Sequence, residues 1–311
     1  MPLQRSTLKT GPAIVIFDSA SIYFKNGLTL SEELETFEIP VDNFGKVDDR
    51  VRDRRVRISG VPAGEWENLS VLFPWLASPI GTRLHGDTDR PLVIHALDGT
   101  RYTYHNATLT TMPSLRFAAT ETLIGNVEFT ARVKDNTEPS ADNSLVTRDS
   151  ATFTDASFST AAVKTQPYSL AWGSDPWDDF QTTDGVSVEF AMQTDPLSVD
   201  GYGVLDEILR DIQVTARFSP LGLTQANLDS KLLIQGNAAS QQGASLNARG
   251  EDLVITGTDV HVILRAAAAK SQAQEFGMGK LRNGEMMAVA TRSFDVGVAE
   301  ALAYVGTSAP A

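Results

Sequence analysis

Apolar and polar residues alternate along much of this chain, which is the pattern of half-buried β-strands. Three segments show the alternation most clearly: 127–133, 186–192 and 212–218. The β-branched and aromatic runs 13–24 and 34–41 also predict strands, and Asn26-Gly27 between them predicts a turn. The pattern therefore predicts a mainly β protein.

Two pairs of strands are predicted to form β-hairpins. Residues 92–97 and 102–110 flank Asp98-Gly99, a strong turn sequence. Residues 253–255 and 260–264 are likewise separated by a short segment that contains glycine. Both hairpins add to an antiparallel architecture.

A 24-residue block occurs twice, at 41–64 and 199–222, without a gap. Nine positions are identical: Val41/Val199, Asp42/Asp200, Gly45/Gly203, Asp48/Asp206, Arg52/Arg210, Asp53/Asp211, Val56/Val214, Pro62/Pro220 and Gly64/Gly222. The matches fall on glycines, acids and a proline as well as on apolar residues, which indicates an internal duplication rather than a shared apolar bias.

The repeat continues beyond this block at offsets of 158 to 162 residues. Gly81-x-x-Leu84 recurs as Gly243-x-x-Leu246, and Phe117 recurs as Phe276. We therefore predict two tandem antiparallel β-sandwich or barrel domains. Their predicted bounds are 1–135 and 166–311, joined by a Ser/Thr/Asp-rich linker at 136–165 that contains one short strand near 151–158.

Each domain is predicted to carry one short flanking helix. In the first, residues 65–76 place apolar side chains on one helix face: Trp66, Leu69, Leu72, Phe73 and Leu76. We expect this face to pack on a sheet. Residues 266–270 also have helix propensity, but their counterparts at 107–112 look like a strand, so a strand is predicted there.

Composition limits the classes of protein that the chain can belong to. It has 311 residues, 42% of them hydrophobic, and no cysteine, which excludes disulfides, a thiol nucleophile and Cys-based metal sites. No apolar run approaches the ~20 residues of a membrane span, and no signal sequence precedes the first strand. We expect a soluble protein made in the cytoplasm.

The charge is strongly negative and unevenly distributed. Residues 1–135 hold 15 basic and 17 acidic side chains, whereas residues 136–311 hold 11 and 22, for a net charge of −13. This argues against binding nucleic acid through its phosphates, which requires a basic surface. The arginines between Arg50 and Arg57 are interspersed with acids, so we expect a strand face with ion pairs.

Catalytic and metal-binding motifs are absent from the sequence. His85, His95 and His105 lie ten residues apart, which matches no compact metal-ligand spacing, and His261 lies elsewhere in the sequence. No nucleophile elbow, phosphate-binding loop or zinc-protease motif occurs. We therefore predict neither enzyme activity nor a cofactor.

Four pairs of adjacent carboxylates could in principle act as acid and base: Asp48/Asp49, Asp178/Asp179, Asp206/Glu207 and Glu251/Asp252. Adjacent residues of a strand point to opposite faces, however. Asp48 and Asp206 are also matched in the repeat, which favours a structural role such as closing the turn after Gly45 or Gly203.

The repeated pattern Val-Asp-x-aromatic-Gly-x-hydrophobic-Asp resembles virion proteins of tailed bacteriophages. The run AWGSDPWDDFQTTDGVSVEF, which leads into VDGYGVLDEIL, is similar to siphophage tail tube (major tail) proteins. The resemblance covers about 13–135 and 166–300. It implies tail-tube domains in which three two-domain chains close into a pseudo-sixfold ring, and rings stack into the conduit for DNA ejection.

The resemblance also implies partners and a location. The chain is expected to bind itself and other tail proteins (tape measure, distal tail and terminator), to let DNA pass without specific binding, and to be assembled in the host cytoplasm into the virion tail. The acidity either repels DNA in the lumen or keeps the unassembled subunit soluble. The linker, the Asn26-Gly27 loop and residues 241–250 are candidate contacts between rings.

Two alternatives remain at this point. One is a related virion protein, a distal tail or terminator protein, which forms a single ring and does not polymerise. The other is an enzyme or a carbohydrate-binding module that stacks sugars on Trp172 and Trp177. That alternative requires the two tryptophans to be exposed beside a cleft, and we expect them to be packed instead.

Overall fold

In the computed structural model the chain is almost entirely β, with two antiparallel sheets, one of them a half-barrel. The structure describes residues 13–63, 70–86, 89–96, 98–118, 122–133, 145–152, 168–174, 177–199, 203–221, 250–257, 260–277, 280–291 and 301–307, and the single residues 223, 231 and 245. The predicted mainly β class is confirmed.

Among the described residues of 13–150, which we call the first half, there are ten strands. They are β1 Ala13–Phe17, β2 Ala20–Val41, β3 Gly45–Ala63, β4 Leu92–Ala96, β5 Thr100–Tyr104, β6 Ala107–Thr111, β7 Leu115–Phe117, β8 Thr122–Ile124, β9 Val127–Arg132 and β10 Val146–Ser150. The first sheet has the order β10-β5-β4-β1-β2-β3-β9-β6. The predicted hairpin around Asp98-Gly99 is confirmed as β4–β5.

In the described part of 169–306, which we call the second half, there are seven strands. They are β11 Ser169–Trp172, β12 Gln181–Val199, β13 Gly203–Leu221, β14 Glu251–Thr256, β15 His261–Gly277, β16 Lys280–Val289 and β17 Ala303–Gly306. The second sheet has the order β11-β14-β15-β16-β13-β12-β7-β8, and β17 pairs with β15. The predicted hairpin at 253–264 is confirmed as β14–β15.

The two halves share one scheme of strand pairing. The first half pairs β1–β4–β5–β10 and β2–β3–β9–β6, and the second half pairs β11–β14–β15–β17 and β12–β13–β16–β15. The bounds of β3 and β13 differ by the same 158 residues as the repeated sequence block. Each strand of this scheme therefore has a counterpart in the other half.

The long strand β15 corresponds to both β5 and β6. In the first half the chain bends between β5 and β6 at Asn106, whose φ is 49°. In the second half Ala266, 160 residues later, has a φ of 41°, and the strand continues through this bend. The strand predicted for residues 266–270 is confirmed, because pairing with β16 outweighs their helix propensity.

Asn26-Gly27 does not turn the chain, so that prediction is wrong. The hairpin turn comes earlier, at Asp18-Ser19, and divides the predicted strand 13–24 into β1 and β2. Asn26 and Gly27 both have positive φ, but they lie inside β2 where its pairing with β3 shifts register. Such residues suit a β-bulge as well as a turn.

The helix predicted at 65–76 is a short 3₁₀ helix, Ser70–Leu72, in its described part. Pro74 lacks an amide hydrogen and disfavours helical geometry at Phe73, so a longer helix cannot run through this point. Leu72, Phe73 and Leu76 of the apolar stripe are nevertheless buried as expected, and Trp66 and Leu69 lie outside the described residues.

Two elements connect the predicted domains. The β7–β8 hairpin, from the range of the first domain, pairs with β12 in the second sheet. Strand β10 lies in the predicted linker and pairs with β5. Of the strand expected near 151–158, only residues 151 and 152 are described. One hydrophobic core continues through both halves, from Phe129 to Phe117 to Trp172.

Candidate assembly interface

The two longest hairpins correspond to each other, and one of them packs on the other half of the chain. We call residues 28–60 of β2 and β3 arm 1, and residues 186–218 of β12 and β13 arm 2. Positions in the two arms correspond at the repeat offset of 158 residues. Arm 2 contacts the first half, and this contact is the most elaborate polar site among the described residues.

Asp206 lies at the centre of the contact and is fully buried. Its carboxylate accepts hydrogen bonds from Arg83 Nε at 2.8 Å, from the His85 amide at 3.0 Å and from the Gly86 amide at 3.2 Å. The Glu207 amide donates to the same carboxylate at 2.7 Å. Asp206 therefore joins arm 2 to the first half through these hydrogen bonds, rather than closing its own turn.

Backbone hydrogen bonds extend the contact along arm 2. The Gly81 amide donates to Leu209 O at 2.8 Å, and the Leu209 amide donates to Thr82 O at 2.8 Å. Arg83 and Ile208 form a β-bridge between these bonds. Segment 81–86 therefore acts as a short extra strand on arm 2, and Leu209 is fully buried beneath it.

Arg132 joins both arms from β9. Its Nη1 donates to both Asp53 carboxylate oxygens at 2.7 Å, and its Nη2 donates to Glu207 Oε1 at 2.6 Å. Burial raises the pKa of the Glu207 carboxyl, but the hydrogen bond and charge of Arg132 outweigh burial and lower it below its usual 4.5. The site is therefore built to hold Glu207 ionised.

His85 is buried beside this cluster. Its Nδ1–H donates to Asn106 O at 2.7 Å, and its Nε2 has no hydrogen-bond partner among the described residues. Burial lowers the pKa of His85 below its usual 6.5, against the opposing hydrogen bond to Asn106. The ring is therefore a neutral packing element of the contact.

Arm 1, in contrast, is largely exposed at the positions that arm 2 buries. Asp48, the counterpart of Asp206, is exposed, and Val51 is 57% exposed where its counterpart Leu209 is completely buried. The other large apolar side chains exposed along arm 1 and its tip are Leu30, Leu34, Phe37, Val41, Phe44 and Val47. Arm 1 thus presents apolar surface of the kind that marks interaction sites.

The base of arm 2 is covered as well. β7 pairs with β12 so that Phe117 faces Val186 and Leu115 faces Val188. The corresponding residues of β2 are 28–30. Among the described strands, Thr29 and Leu30 pair only with β3, and residue 28 lies at the register shift between β2 and β3. This edge of β2 is available for another strand.

The repeated motif residues fall into three groups. Pro62 and Pro220 are buried, whereas Val41, Asp42 and Val199 are exposed near the arm tips. Gly45 and Gly203 both have positive φ, which favours glycine. Gly64, Asp200 and Gly222 lie outside the described residues.

The other polar candidates have local partners. His95 contacts Ala151 O, His105 contacts Asp89 and Thr147, and His261 contacts Thr256. In the described part of the chain, no three His, Cys, Asp or Glu side chains come together as a metal site would require. His105 lies at the bend after β5, not within a strand as the hairpin prediction implied.

The carboxylate pairs do not form isolated acid–base couples. Asp49 pairs with Lys46, Glu251 with Lys231, and Asp252 with Arg265. Asp178 and Asp179 are exposed. These contacts are those of ion pairs on a strand surface, as expected for the arginine-rich segment too, where Arg55 and Arg57 both contact Glu33.

Trp172 and Trp177 are both 1% exposed, so the expectation that they are packed is confirmed. Their rings meet edge to face at 5.5 Å, and Trp172 Nε1 donates to Ala267 O. The Lys231 ammonium lies 5.1 Å from the centre of the Trp172 ring. A sugar cannot stack on rings buried in this way.

The predicted ring-contact loops are only partly described. Asn26-Gly27 lies in β2, the linker is described at 145–152, and of residues 241–250 only Ser245 and Gly250 are described. The partners of arm 2, Arg83, His85 and Arg132, were missed from the sequence. The repeated Gly81-x-x-Leu84 was the one signal near them.

No protein-family model and no curated protein sequence matches the chain. Among the described residues, the search for a helix long and apolar enough to cross a membrane found none.

Proposed function

We propose that the chain is a structural subunit of a siphophage-type tail tube that arose by internal duplication. In this proposal, three chains close into a pseudo-sixfold ring, and rings stack into a conduit for DNA. The observation that carries the proposal is the contact of arm 2 with the first half, together with the uncovered arm 1.

This contact is heterologous, because the surface on arm 2 differs from the surface that receives it. Heterologous contacts repeat from one module to the next and generate rings when the rotation closes, or open filaments when it does not. Two modules already joined in this way within one chain supply one third of a ring of six. Unpaired strand edges favour such assembly, since they are templates for further pairing.

The sequence resemblance supplies the identity of the ring. The repeated block that resembles tail tube proteins, 41–64 and 199–222, runs from the tip of each arm along its second strand, β3 or β13. The net charge of −13 suits a conduit that DNA passes without binding. We expect no enzyme activity, and the buried state of Trp172 and Trp177 removes the feature that favoured a carbohydrate-binding module.

Negative-stain electron microscopy of the purified chain, with its mass measured by light scattering, tests this function. We expect tubes, or rings of three chains with a sixfold outline. Rings that never stack at any concentration would favour a distal tail or terminator protein instead. A species that stays monomeric even with preformed tail tips as initiator would contradict both.

A further inference from the structure

We propose that the end of the β15–β16 hairpin adds a strand to the open edge of β2, at residues 27–30, in a second copy of the chain. The hairpin end consists of residues 274–277 of β15 and 280–283 of β16. The inference deepens the proposed function, on which it rests only for the ring that such contacts would close. A contact of the same kind is present within one chain.

This intrachain contact is the pairing of β7 with the edge of β12. Phe117 pairs with Val186, and Leu115 pairs with Val188. Val186 is 1% exposed and Val188 is completely buried. Because β7 belongs to the first half and β12 to the second, addition of a strand already joins one half of the chain to the other.

The edge of β2 has the same local form as the covered edge of β12. Gly27 and Gly185 are counterparts at the repeat offset of 158 residues, and both have a φ of 85°. Each lies where the pairing of its own hairpin shifts register. The residues that follow, 28–30 and 186–188, are both apolar-polar-apolar. A strand that fits beside β12 therefore finds the same bulge and the same side-chain pattern beside β2.

The space beside the two glycines shows that one edge is covered and the other is open. A Cβ on Gly185 would lie 2.0 Å from Phe117 O, because the end of β7 packs there. A Cβ on Gly27 meets nothing within 4 Å. Leu30 is 47% exposed, whereas its counterpart Val188 is completely buried. Among the described strands, none pairs with this side of β2 after its pairing with β1 ends.

The β15–β16 hairpin is the counterpart of the β7–β8 hairpin. Phe276 and Leu281 correspond to Phe117 and Leu123 at offsets of 159 and 158 residues. Residues 115 and 116 do not match 274 and 275 in side chain. Backbone hydrogen bonds supply the affinity when a strand joins a sheet edge, however, so the contact does not require that match.

Charge favours this hairpin as the partner of β2. Residues 28–41 carry four glutamates and no basic residue. Residues 270–283 carry Lys270, Lys280 and Arg282 against one acid, Glu275. Opposite charges on neighbouring strands stabilise their pairing, and like charges destabilise it. A second β2 is therefore a poor partner for this edge, whereas the hairpin end is a good one.

The hairpin that joins β2 comes from a second copy. Within one chain, β2 lies in the first sheet and the hairpin end in the second, where its strands pair only with each other among the described residues. Each chain thus holds one open edge and one hairpin end. Because these two surfaces differ, the contact is heterologous and repeats from copy to copy, as a closed ring requires.

Cysteine pairing tests the contact directly, because the chain has no native cysteine. The pair Arg116–Ser187 of the intrachain contact corresponds to Glu275 and Thr29. Facing residues of antiparallel strands lie within the Cα separation that a disulfide spans. The variants Thr29→Cys and Glu275→Cys are purified separately, mixed under mild oxidation and run on a non-reducing gel. Mass spectrometry of the linked peptides identifies the bond.

We expect a mixed disulfide between the two variants, at least tenfold more abundant than either homodimer. The matched control, Arg116→Cys with Ser187→Cys in one chain, should form an intrachain disulfide. The double variant Thr29→Cys with Glu275→Cys should form a series of covalent oligomers. The absence of a mixed disulfide at every protein concentration, or an intrachain disulfide in this double variant, would overturn the inference.

Electron microscopy of the cross-linked sample separates this contact from the proposed function. Rings or tubes without the mixed disulfide would leave the function standing and reject the contact. The mixed disulfide in an assembly that is neither a ring nor a tube would leave the contact standing and reject the function.

A substitution at Gly27 tests the open space beside β2. In the docked state the carbonyl of Phe276 would lie beside Gly27, as the carbonyl of its counterpart in β7 lies beside Gly185. Gly27→Ala should therefore weaken self-association at least tenfold in analytical ultracentrifugation.

Gly45→Ala is the matched control for this substitution. Gly45 also has a positive φ and open space at its Cβ position, but it lies at the tip of arm 1, outside the contact. This variant should leave self-association within twofold of the wild type. Equal effects of the two substitutions would show that backbone strain weakens association and would reject the contact at Gly27.

Discussion

Arm 1 and arm 2 are the same hairpin in two surroundings. Their strands β3 and β13 have equal lengths, and each arm carries the repeated aspartate with the same backbone hydrogen bond. Yet Asp206 is fully buried and Asp48 is exposed. The local structure of an arm therefore follows from its sequence, whereas its burial depends on whether a receptor lies beside it.

The comparison also shows why arm 1 holds many ion pairs. An uncovered arm keeps its strands together through exposed contacts such as Arg52–Glu35 and Lys46–Glu38. Exposed pairs of this kind contribute little each, up to about 1 kcal/mol. Arm 2 also has an exposed pair between its strands, Arg210–Asp195, and adds a buried carboxylate and a buried leucine. The following predictions use counterpart substitutions, so that each arm serves as the control for the other.

The largest difference is expected at the repeated aspartate. Asp206→Ala should lower the free energy of unfolding by about 4 kcal/mol, since the buried amides of His85 and Gly86 lose their acceptor and Arg83 loses its charged partner. Asp48→Ala should change it by less than about 0.5 kcal/mol. Urea unfolding followed by circular dichroism measures both, and similar losses in the two variants would contradict the comparison.

A smaller difference is expected for the apolar pair. Leu209→Ala should cost about 3 kcal/mol, because it opens a cavity under segment 81–86. Val51→Ala should cost less than about 1 kcal/mol in the monomer, since its side chain is 57% exposed. Thermal unfolding of the monomer at low protein concentration is the measurement. A cost at Val51 that matches the cost at Leu209 would mean that arm 1 is already covered.

The turn glycines should differ by less. Alanine at either Gly45 or Gly203 incurs the strain of positive φ, about 1 kcal/mol. Gly203→Ala should cost roughly 2 kcal/mol in total, because its Cβ also meets Arg52 O. Melting temperatures of the two variants compare the costs directly. Equal shifts would show that the tip of arm 2 does not press on arm 1 in solution.

The smallest effect is a dependence on pH. The lowered pKa of Glu207 contributes stability that is complete above 4.5 and is lost as the pH falls through the lower folded-state pKa. His85 acts in the same direction: its contribution is complete above 6.5 and lost at lower pH. In Glu207→Gln, the free energy of unfolding should fall less steeply as the pH is lowered below 4.5. Asp49→Asn, at the exposed counterpart position, should keep the wild-type dependence on pH.

A good part of the fold could be predicted because strand patterns are local. Alternation and turn sequences identified the hairpins β4–β5 and β14–β15, and the repeat overcame the helix propensity of residues 266–270. The wrong predictions concern short sequence patterns that are compatible with two different local structures. Asn26-Gly27 suits a bulge as well as a turn, and the apolar stripe before Pro74 suits a buried 3₁₀ segment as well as a helix.

The candidate site could be predicted only in part, because the sequence patterns that identify residues are local. Asp48 and Asp206 stand out in the sequence because they are matched, and a structural role follows from that match. Their receptors do not stand out, since Arg83 and His85 lie about 120 residues before Asp206 and carry no motif of their own. A contact at such a separation is decided by how whole sheets pack.

By itself the sequence determined the β class and showed the repeated block, because these depend on residue periodicity and on internal identity. Only the tertiary structure decided which arm is covered. Asp48 and Asp206 occupy matched positions of the repeated block and accept the same hydrogen bond from the next amide, and they differ in the surface that folding brings beside them. Burial is a property of that surface, and nothing local to either aspartate encodes it.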